Sequence, residues 1–564
     1  MTRPAGYPPP FDPREYVAAP TDSPDERIDV GVLIVGAGPA GLACAIRLGQ
    51  LMEDDPSLAE RLGEVPVAVL EKGKSVGSHL VSGAVVNPRG FRRLFRGRDV
   101  GIEDIPNFGP VEHEGVYFLT GSAATRVPAP PTMKNDGNFI ASLSQLSRWL
   151  AEQAEAGGAM ILPETSAERL LVTGARTVGV RTGDKGRGRD GEPLPNFEPG
   201  VDVTAKVTVL AEGTQGHLTG VALDQFGLRG DNPQVWALGV KEVWKVAKPL
   251  DRVIHTLGWP LRGGRKYREF GGSFIYPMGE DMVTIGLVVG LDYRDVEVSV
   301  HDMLQELKTH RFIRKILEGG ERIGWGAKTI PEGGFVALPR RLHAPGLLLT
   351  GDAAGFVNVP ALKGIHYAVE TGRLAAEAAV DALRPGRTPW TPGALASYDA
   401  SLRTTYVWND LKRVRNMRQA FANGLVLGGA MASAAIASFG KFPPGNKATE
   451  PDAEVELIRT NRSTRYPAPD GRLTFDKLSS VYLSGNKTRD DAPNHLRVLT
   501  VVPEELGRLW ERMCPAQVYE VKQDGGETTV EVTASNCVQC GAITAKGGRL
   551  TPPEGGSGPE YTLT

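Results

Sequence analysis

A short apolar segment followed at once by a glycine-rich turn constrains the fold of this chain most strongly. Residues 29–35, DVGVLIV, have the composition of a buried strand, and Gly36, Gly38 and Gly41 follow in the pattern G-x-G-x-x-G. The next segment, LACAIRLGQLM, has helical periodicity. A strand, a tight turn and a helix N-terminus in this order hold a pyrophosphate. The sequence therefore predicts an α/β domain that binds a dinucleotide at this turn.

A second strand supplies the acidic residue that such a site uses. Residues 65–70, VPVAVL, lead to Glu71, which is placed to accept hydrogen bonds from a ribose. The segment EDDPSLAERLGE is inserted before this strand, so the spacing from the glycines to the acid is longer than usual. Cys44 falls among Ala, Leu and Ile on the predicted helix, which indicates core packing.

Two later segments select the dinucleotide. The segment KVTVLAEG is a predicted strand that ends in a turn at Gly213. A further strand begins at Leu347 and meets Gly351-Asp352, where the carboxylate can bind the hydroxyls of a ribityl chain. The turn and helix that follow, from Gly364, bring backbone N–H groups to the pyrophosphate and ring. FAD domains of the glutathione-reductase class need this element and nicotinamide domains do not, so FAD is the predicted cofactor.

Missing motifs and bulk composition limit the other partners. The chain has no second G-x-G-x-x-G that opens a helix after a strand, so a bound NAD(P)H domain is not expected. The flavin must then receive electrons from another source, most simply a protein. With 564 residues and a net charge of −2, the chain gives no indication of nucleic acid binding. Its first residues lack the apolar region of a secretory signal.

Three of the four cysteines lie near the C-terminus, as Cys514-Pro515 and Cys537-x-x-Cys540. A Cys-Pro step with a Cys-x-x-Cys pair is typical of an iron–sulfur site, and few, clustered cysteines fit a reducing compartment. A complete [4Fe-4S] site needs four thiolates, and a fourth is not visible. Three thiolates leave a [3Fe-4S] cluster, a [4Fe-4S] cluster with an exogenous fourth ligand, or no cluster, with zinc as a minor variant.

The segment 420–440 is uncharged but consists mostly of Ala, Gly and Ser, which is weakly hydrophobic for a spanning helix. It follows a basic run, Lys412, Arg413, Arg415 and Arg418. One interpretation is a buried helix packed through small residues. The other is a segment that dips into one leaflet while the basic run contacts anionic headgroups.

Beyond these motifs, the sequence from about residue 30 onward resembles the electron-transfer flavoprotein:ubiquinone oxidoreductases. Several stretches are family-specific strings rather than generic flavin motifs. They are LEKGKSVGSHLVSGAVVNP, VLAEGTQGHL, YREFGGSFIYPM, GLVVGLDYRD, LEGGERIGWGA, GDAAGFVNVPALKGIH, YPAPDGRLTFDKLSSVYLSG, CPAQVYE and PEGGSGPEY.

The resemblance implies one FAD and one [4Fe-4S] cluster in a monotopic membrane protein that takes electrons from reduced electron-transfer flavoprotein and passes them to a quinone. It implies that the backbone at Gly271 and Gly272 holds a quinone carbonyl, a role that a missing Cβ suits because it lets the backbone approach a ligand. It also places Asn358 close to the flavin ring, with a loop-capping role as the alternative. The membrane-dipping interpretation of 420–440 becomes the favoured one.

The chain departs from the family at the cysteine site. The family pattern is C-x-x-C-x-x-C, and the third position of this triplet is Ile543. Ala542 stands where the family carries a hydroxyl able to donate to a cluster sulfur, while Tyr519 is retained. The expected cofactors are thus FAD and an iron–sulfur cluster, [4Fe-4S] or [3Fe-4S], on Cys514, Cys537 and Cys540.

The predicted fold is a glutathione-reductase-type α/β FAD domain interwoven with a β-rich quinone-binding domain, followed by a ferredoxin-like domain. The predicted boundaries are a flexible segment at 1–26, the interwoven domains at 27–454 and the iron–sulfur domain at 455–564. The FAD pieces cover about 30–150, 200–225 and 335–420.

The predicted location is the cytoplasmic face of a bacterial inner membrane, with ubiquinone or menaquinone as the acceptor. The rivals are a related FAD-dependent reductase or hydroxylase of an organic or isoprenoid substrate, and a non-catalytic membrane docking protein.

Overall fold

Two large sheets, flanked by helices, form the body of the protein in the computed structural model, which describes residues 2–421, 424–524 and 526–564. Residues 422 and 423 of the predicted membrane segment lie outside this range. The helices are Pro39–Asp54, Pro56–Leu62, Arg89–Leu94, Leu143–Ala156, His217–Gln225, Val300–Thr309, Arg311–Leu317, Ile365–Ala382, Ala396–Arg403, Tyr406–Arg413, Met417–Ala420, Leu425–Ala437, Lys477–Leu483, Glu504–Met513 and Ala542–Ala545.

The first sheet carries the predicted dinucleotide motifs. Its central strands run parallel to one another and are Asp202–Leu210, Arg27–Val35, Val67–Leu70 and Met160–Leu162. Leu347–Leu349 also pairs in parallel with Asp202–Leu210, next to His343–Ala344. The other strands are Val17–Ala18, Ala167–Thr173 and Arg176–Thr182. The helices Pro39–Asp54 and Ile365–Ala382 pack against each other, and their apolar faces join the strands in one core.

The second sheet has seven strands drawn from two distant parts of the chain. Their order is Glu321–Pro331, Trp236–Lys245, Met282–Gly290, Gly271–Pro277, Val253–Gly258, Glu114–Leu119 and Ala124–Val127. The last two strands lie within the stretch 30–150 that was predicted as an FAD piece, so the chain enters the second sheet earlier than that piece implies. The two sheets are interwoven in sequence, because the second sheet takes its strands from between those of the first.

The C-terminal residues form small sheets of two strands each. Leu496–Arg497 pairs with Arg549–Leu550, and Tyr519–Asp524 pairs with Glu527–Val532. The other two-stranded sheets are Lys185–Arg187 with Pro193–Glu198 and Val85–Val86 with Phe139–Ile140. The apolar residues of the C-terminal unit share one core with the seven-stranded sheet, so the two pack as one body.

The N-terminal residues differ from the expected flexible segment. Val17–Ala18 forms an edge strand of the first sheet, and Tyr16 is buried. The Tyr16 ring packs edge-on against His217 with ring centroids 4.4 Å apart. The amide of Leu457 also donates to the carbonyl of Thr2. Aromatic contacts of this kind are not visible as periodicity, which is why composition alone suggested disorder.

Candidate functional site

One cavity of about 890 Å³ lies between the two sheets. It is lined by the glycine turn after Arg27–Val35, by the turn at Gly213 and by the second sheet at Gly271 and Gly272. It continues to the helix Leu425–Ala437, where Ala432 and Ile436 line it. A cleft of this size accommodates a large cofactor.

The glycine turn is built by close backbone contacts. A Cβ on Gly41 would lie 2.0 Å from the carbonyl oxygen of Gly36, and a Cβ on Gly36 would lie 2.5 Å from the oxygen of Ala211. Gly36 has a φ of +107°, which a side chain disfavours. A Cβ on Gly38, by contrast, would meet nothing within 4 Å and would point into open space. Gly36 and Gly41 are therefore required by the fold, whereas Gly38 leaves room for a ligand.

Glu71 closes the same turn from the end of Val67–Leu70. Its carboxylate accepts hydrogen bonds from the N–H of Ala37 at 3.1 Å and from the N–H of Gly73 at 2.7 Å. It also lines the cavity. This geometry places the acid beside the glycine turn, as the sequence predicted.

The turn at Gly213, where φ is +71°, follows the strand Asp202–Leu210. Glu212, which the sequence analysis did not assign, anchors this turn by accepting from the N–H of Leu218 at 3.0 Å and of Thr219 at 2.6 Å. A carboxylate at the start of a helix also interacts favourably with the helix dipole.

Gly351 and Asp352 lie where the third predicted piece meets the first. Gly351 has a φ of +60°, and a Cβ there would lie 2.9 Å from the Cβ of Ala40. The strand end is thus pressed onto the N-terminus of Pro39–Asp54. Asp352 lines the cavity, and burial raises the pKa of its carboxyl to about 6. Gly364, immediately before Ile365–Ala382, lines the same space.

Asn358 is buried, and its side chain bonds to its own surroundings. Its Oδ1 accepts from the N–H of Ala361 at 3.2 Å, and its Nδ2 donates to the hydroxyl of Tyr367 at 3.2 Å. This is the geometry of the loop-capping alternative. The role beside the flavin ring stays a prediction.

Gly271 and Gly272 line the cavity, but their lack of a side chain has a different cause from the predicted one. A Cβ on Gly271 would lie 1.9 Å from the oxygen of Val288, and one on Gly272 would lie 2.6 Å from the oxygen of Thr256. Both missing side chains face neighbouring strands. Strand packing, rather than the approach of a ligand, accounts for glycine at these positions.

Several polar side chains of the cavity wall were not predicted. His255 Nε2 and the hydroxyl of Tyr276 are 2.7 Å apart, and both side chains are buried. Burial, together with the nearby Lys363, lowers the pKa of His255 to about 3, so its imidazole is neutral. Burial also lowers the pKa of Lys363 to about 8 and of Lys328 to about 7. The only sequence signal was their position next to family-specific strings.

The three C-terminal cysteines converge on one buried site next to this cavity. Burial raises the pKa of each thiol, and each lies within electrostatic reach of the others and of the Tyr519 hydroxyl. Each sulfur also receives a backbone N–H hydrogen bond, a contact that favours a thiolate. The pairs are Val518 N–H with Cys514 Sγ at 3.4 Å, Gln539 N–H with Cys537 Sγ at 3.3 Å, and Ala542 N–H with Cys540 Sγ.

Three cysteine thiols are a donor set that iron–sulfur clusters use. Within the described residues, no three His, Cys, Asp or Glu side chains form a group that could hold a single metal ion. The zinc alternative has no support beyond the sequence pattern.

A chain of hydrogen bonds joins the two sites. The hydroxyl of Thr214 donates to the hydroxyl of Thr329 at 2.8 Å, and Thr329 Oγ1 donates to the carbonyl of Cys540 at 2.9 Å. The N–H of Thr329 donates to the same carbonyl at 2.9 Å. Lys328 Nζ donates to the carbonyl of Gln539 at 3.0 Å. The strand Glu321–Pro331 thus links the turn at Gly213 to the cysteine loop.

Two family models match the chain. Residues 236–330 match "ETF-QO, ubiquinone-binding", and residues 471–562 match "Electron transfer flavoprotein-ubiquinone oxidoreductase, 4Fe-4S". The first covers most of the second sheet, and the second covers the cysteine site.

Curated relatives agree over nearly the whole length. A mitochondrial electron transfer flavoprotein-ubiquinone oxidoreductase of Arabidopsis thaliana is 39% identical, over 95% of this chain and 85% of its own. The protein of that name from Pseudomonas aeruginosa is 37% identical, over 95% of this chain and 99% of its own.

Among solved structures, a geranylgeranyl bacteriochlorophyll reductase-like protein of Thermoplasma acidophilum superposes with a TM-score of 0.53 at 17% identity. The match covers 74% of this chain and 98% of the other, and it shows a shared fold alone. The cavity, the cysteine site and the full-length relatives lead to one conclusion. The chain belongs to the electron transfer flavoprotein-ubiquinone oxidoreductase family.

Proposed function

We propose that this chain takes electrons from reduced electron transfer flavoprotein and delivers them, by way of FAD and an iron–sulfur cluster, to ubiquinone. The observation that carries this proposal is the single cavity that joins the glycine turns to Gly271, Gly272 and the apolar residues of Leu425–Ala437. A flavin at one end and a quinone at the other would occupy one enclosure. The cysteine site, connected through Thr329, supplies the second redox centre.

The FAD site is assigned to residues that fit its chemical parts. Gly36, Gly38 and Gly41 present the N-terminus of Pro39–Asp54 to the pyrophosphate. Glu71 is assigned to the adenosine ribose and Asp352 to the ribityl chain. The other residues that we assign to the FAD site are Gly213, Gly351, Asn358 and Gly364. FAD held by these residues would supply both one-electron and two-electron chemistry, which suits a protein donor and a quinone acceptor.

The quinone end needs a proton source as well as a place to bind, because quinone reduction consumes two protons. The Tyr276 hydroxyl and neutral His255 form a buried pair on the cavity wall. Tyr276 lies on the strand that carries Gly271 and Gly272, and His255 lies on the neighbouring strand. Burial holds the Tyr276 hydroxyl protonated by raising its pKa. We assign this pair to proton delivery to the reduced quinone.

Membrane attachment is assigned to the helix Leu425–Ala437 and the residues after it. In the described part of the chain, no helix combines the length and apolarity needed to cross a bilayer. Phe439 and Phe442 are exposed, at 68% and 47% of their surface, and the guanidinium of Arg413 covers the Phe439 ring at 4.7 Å. Exposed aromatic rings beside basic side chains suit an interface with anionic headgroups. The proposed location is the cytoplasmic face of a bacterial inner membrane.

The test combines absorbance and turnover. The purified protein, with its FAD, is mixed anaerobically with reduced electron transfer flavoprotein, and flavin absorbance is followed by stopped flow. Bleaching of the FAD, followed by reoxidation when a short-chain ubiquinone is added, is the expected result. FAD that stays oxidised with the partner present, or turnover driven by NAD(P)H and oxygen, would contradict the proposal and favour a reductase or hydroxylase. A menaquinone analogue tested in parallel identifies the preferred acceptor.

A further inference from the structure

The cysteine site offers three thiols, and an apolar residue stands at the fourth position of the sequence pattern. In a C-x-x-C-x-x-C run, the third cysteine would stand at residue 543, and this residue is Ile543, which is 5% exposed. It belongs to the apolar core that the C-terminal unit shares with the seven-stranded sheet. A Cβ on Gly548 would lie 2.5 Å from Ile543 Cγ1 and 2.8 Å from Val498 Cγ1, so the residue is closely packed.

No polar group nearby replaces the missing thiol. Thr544 Oγ1 accepts from the N–H of Leu550, and Lys546 Nζ donates to the carbonyls of Tyr293 and Asp452. Both side chains are therefore engaged elsewhere. His79 is buried and bonds to the backbone of Ser557, so it also has another partner.

An exogenous ligand at this position is unfavourable for the same reason. A hydroxide or water on a fourth iron would lie in the apolar core that Cys514, Cys537 and Ile543 share, and burying such a group is costly. The Nζ of the nearby Lys328 already donates to the carbonyl of Gln539. Each of the three existing sulfurs, by contrast, has its own N–H donor.

We propose that Cys514, Cys537 and Cys540 hold a [3Fe-4S] cluster in this protein, with the Ile543 side chain occupying the place of a fourth ligand. The proposal rests on the iron–sulfur centre of the proposed function and specifies its type. It differs from the 4Fe-4S description of the matched family.

The test compares the full-length protein with two variants prepared side by side under anaerobic conditions. The measurements are iron and acid-labile sulfide per FAD, and electron paramagnetic resonance before and after dithionite. The unmodified protein is expected to contain about three irons per FAD and to show a signal when oxidised. The matched control Ile543→Val should give the same result, because it changes packing without adding a ligand.

The variant Ile543→Cys restores the third cysteine of the run. It should contain about four irons per FAD and show its signal only after reduction. Anaerobic handling is essential, because oxidation would remove a solvent-ligated fourth iron from the unmodified protein more readily than a cysteine-ligated one from the variant. A difference between samples that were never exposed to oxygen reports the ligand set. If this variant folds poorly, the iron content and the resonance signal of the unmodified protein and of Ile543→Val still test the proposal.

Two results would overturn the proposal. The first is about four irons per FAD in the unmodified protein with a signal only after reduction. The second is iron at background level. Flavin bleaching by reduced electron transfer flavoprotein, measured on the same preparation, separates these results from the proposed function. If reduced electron transfer flavoprotein bleaches the FAD of a preparation that contains no iron, the cluster proposal fails and the flavin reaction of the proposed function stands.

Discussion

The dinucleotide turn and the cysteine site are built on opposite principles. At Gly36, Gly41 and Gly351 the backbone itself forms the site, and a single added Cβ would collide with a neighbouring atom. At Cys537 and Cys540 the site consists of side chains, and a lost ligand leaves the backbone intact. A site made of backbone tolerates almost no substitution at its glycines. A site made of side chains can lose a member and change its chemistry while the fold stays the same.

The largest expected effect breaks the backbone-built site. Gly41→Ala should abolish FAD binding and lower the yield of folded protein, since its Cβ would lie 2.0 Å from the oxygen of Gly36. Gly38→Ala is the matched control, because its Cβ meets no protein atom within 4 Å. It should fold normally and weaken only FAD binding. FAD content and the thermal unfolding temperature measure both effects. If the two variants bind FAD and unfold alike, the predicted clash at Gly41 is wrong.

The second prediction concerns the side-chain-built site. Cys537→Ser should reduce iron to background while FAD stays near the content of the unmodified protein, since the cysteine loop is held by backbone bonds to Thr329. Cys44→Ser serves as a control at a cysteine in the core of the first sheet, where iron should be retained. If the Cys537 variant loses FAD as well as iron, the FAD site depends on the iron–sulfur cluster for its folding.

A smaller effect is expected between the two sites, at the cavity wall. Tyr276→Phe removes the hydroxyl that bonds to His255 and should slow quinone reduction by on the order of 10²-fold, leaving flavin reduction by the partner unchanged. Burial lowers the pKa of His255 to about 3, so the rate should show no transition near the ordinary histidine value of 6.5. Equal slowing of both half-reactions would point to a structural role for the pair.

The smallest effect tests a buried charge on the second sheet. Lys241 is buried, donates to the carbonyl of Ser82 at 2.7 Å, and has its pKa lowered by burial from 10.5 to about 7. Between these values the unfolded chain binds a proton that the folded protein does not, so stability rises with pH and the penalty is complete below about pH 7. Lys241→Met should therefore raise the unfolding temperature by a few degrees more at about pH 6.5 than at about pH 9.5.

Scanning calorimetry of Lys241→Met and the unmodified protein at both pH values checks this sign. Lys245→Met, at the exposed end of the same strand, is the control and should show no such difference. A larger gain at the higher pH would contradict the assigned burial of the charge.

Local patterns predicted the dinucleotide elements well because their geometry is local. A strand, G-x-G-x-x-G and a helix determine one another within a few residues, and Arg27–Val35 and Pro39–Asp54 lie where the sequence placed them. The acid at Glu71 followed from the same unit. The Cys-Pro step and the Cys-x-x-Cys pair, which are also local patterns, indicated the cysteine site in the same way.

Contacts between distant segments escaped sequence reasoning. The packing of Tyr16 on His217 joins residues about 200 positions apart, and no pattern of periodicity records it. His255 and Tyr276 lie on neighbouring antiparallel strands whose register is set by the whole sheet. Gly271 and Gly272 line the cavity, and their predicted role at a quinone carbonyl stays a prediction. The positions of Val288 and Thr256 reveal why they lack side chains.

The link from Thr214 through Thr329 to the carbonyl of Cys540 fixes the distance between the two sites. Its strand belongs to the same core as the cysteines, so no hinge separates them. Electron tunnelling weakens steeply with distance, and a rigid spacing keeps its rate the same in every turnover. Proteins that carry electrons on a swinging domain depend on solvent viscosity. This architecture makes internal transfer independent of viscosity and leaves the encounter with the partner protein as the viscosity-sensitive step.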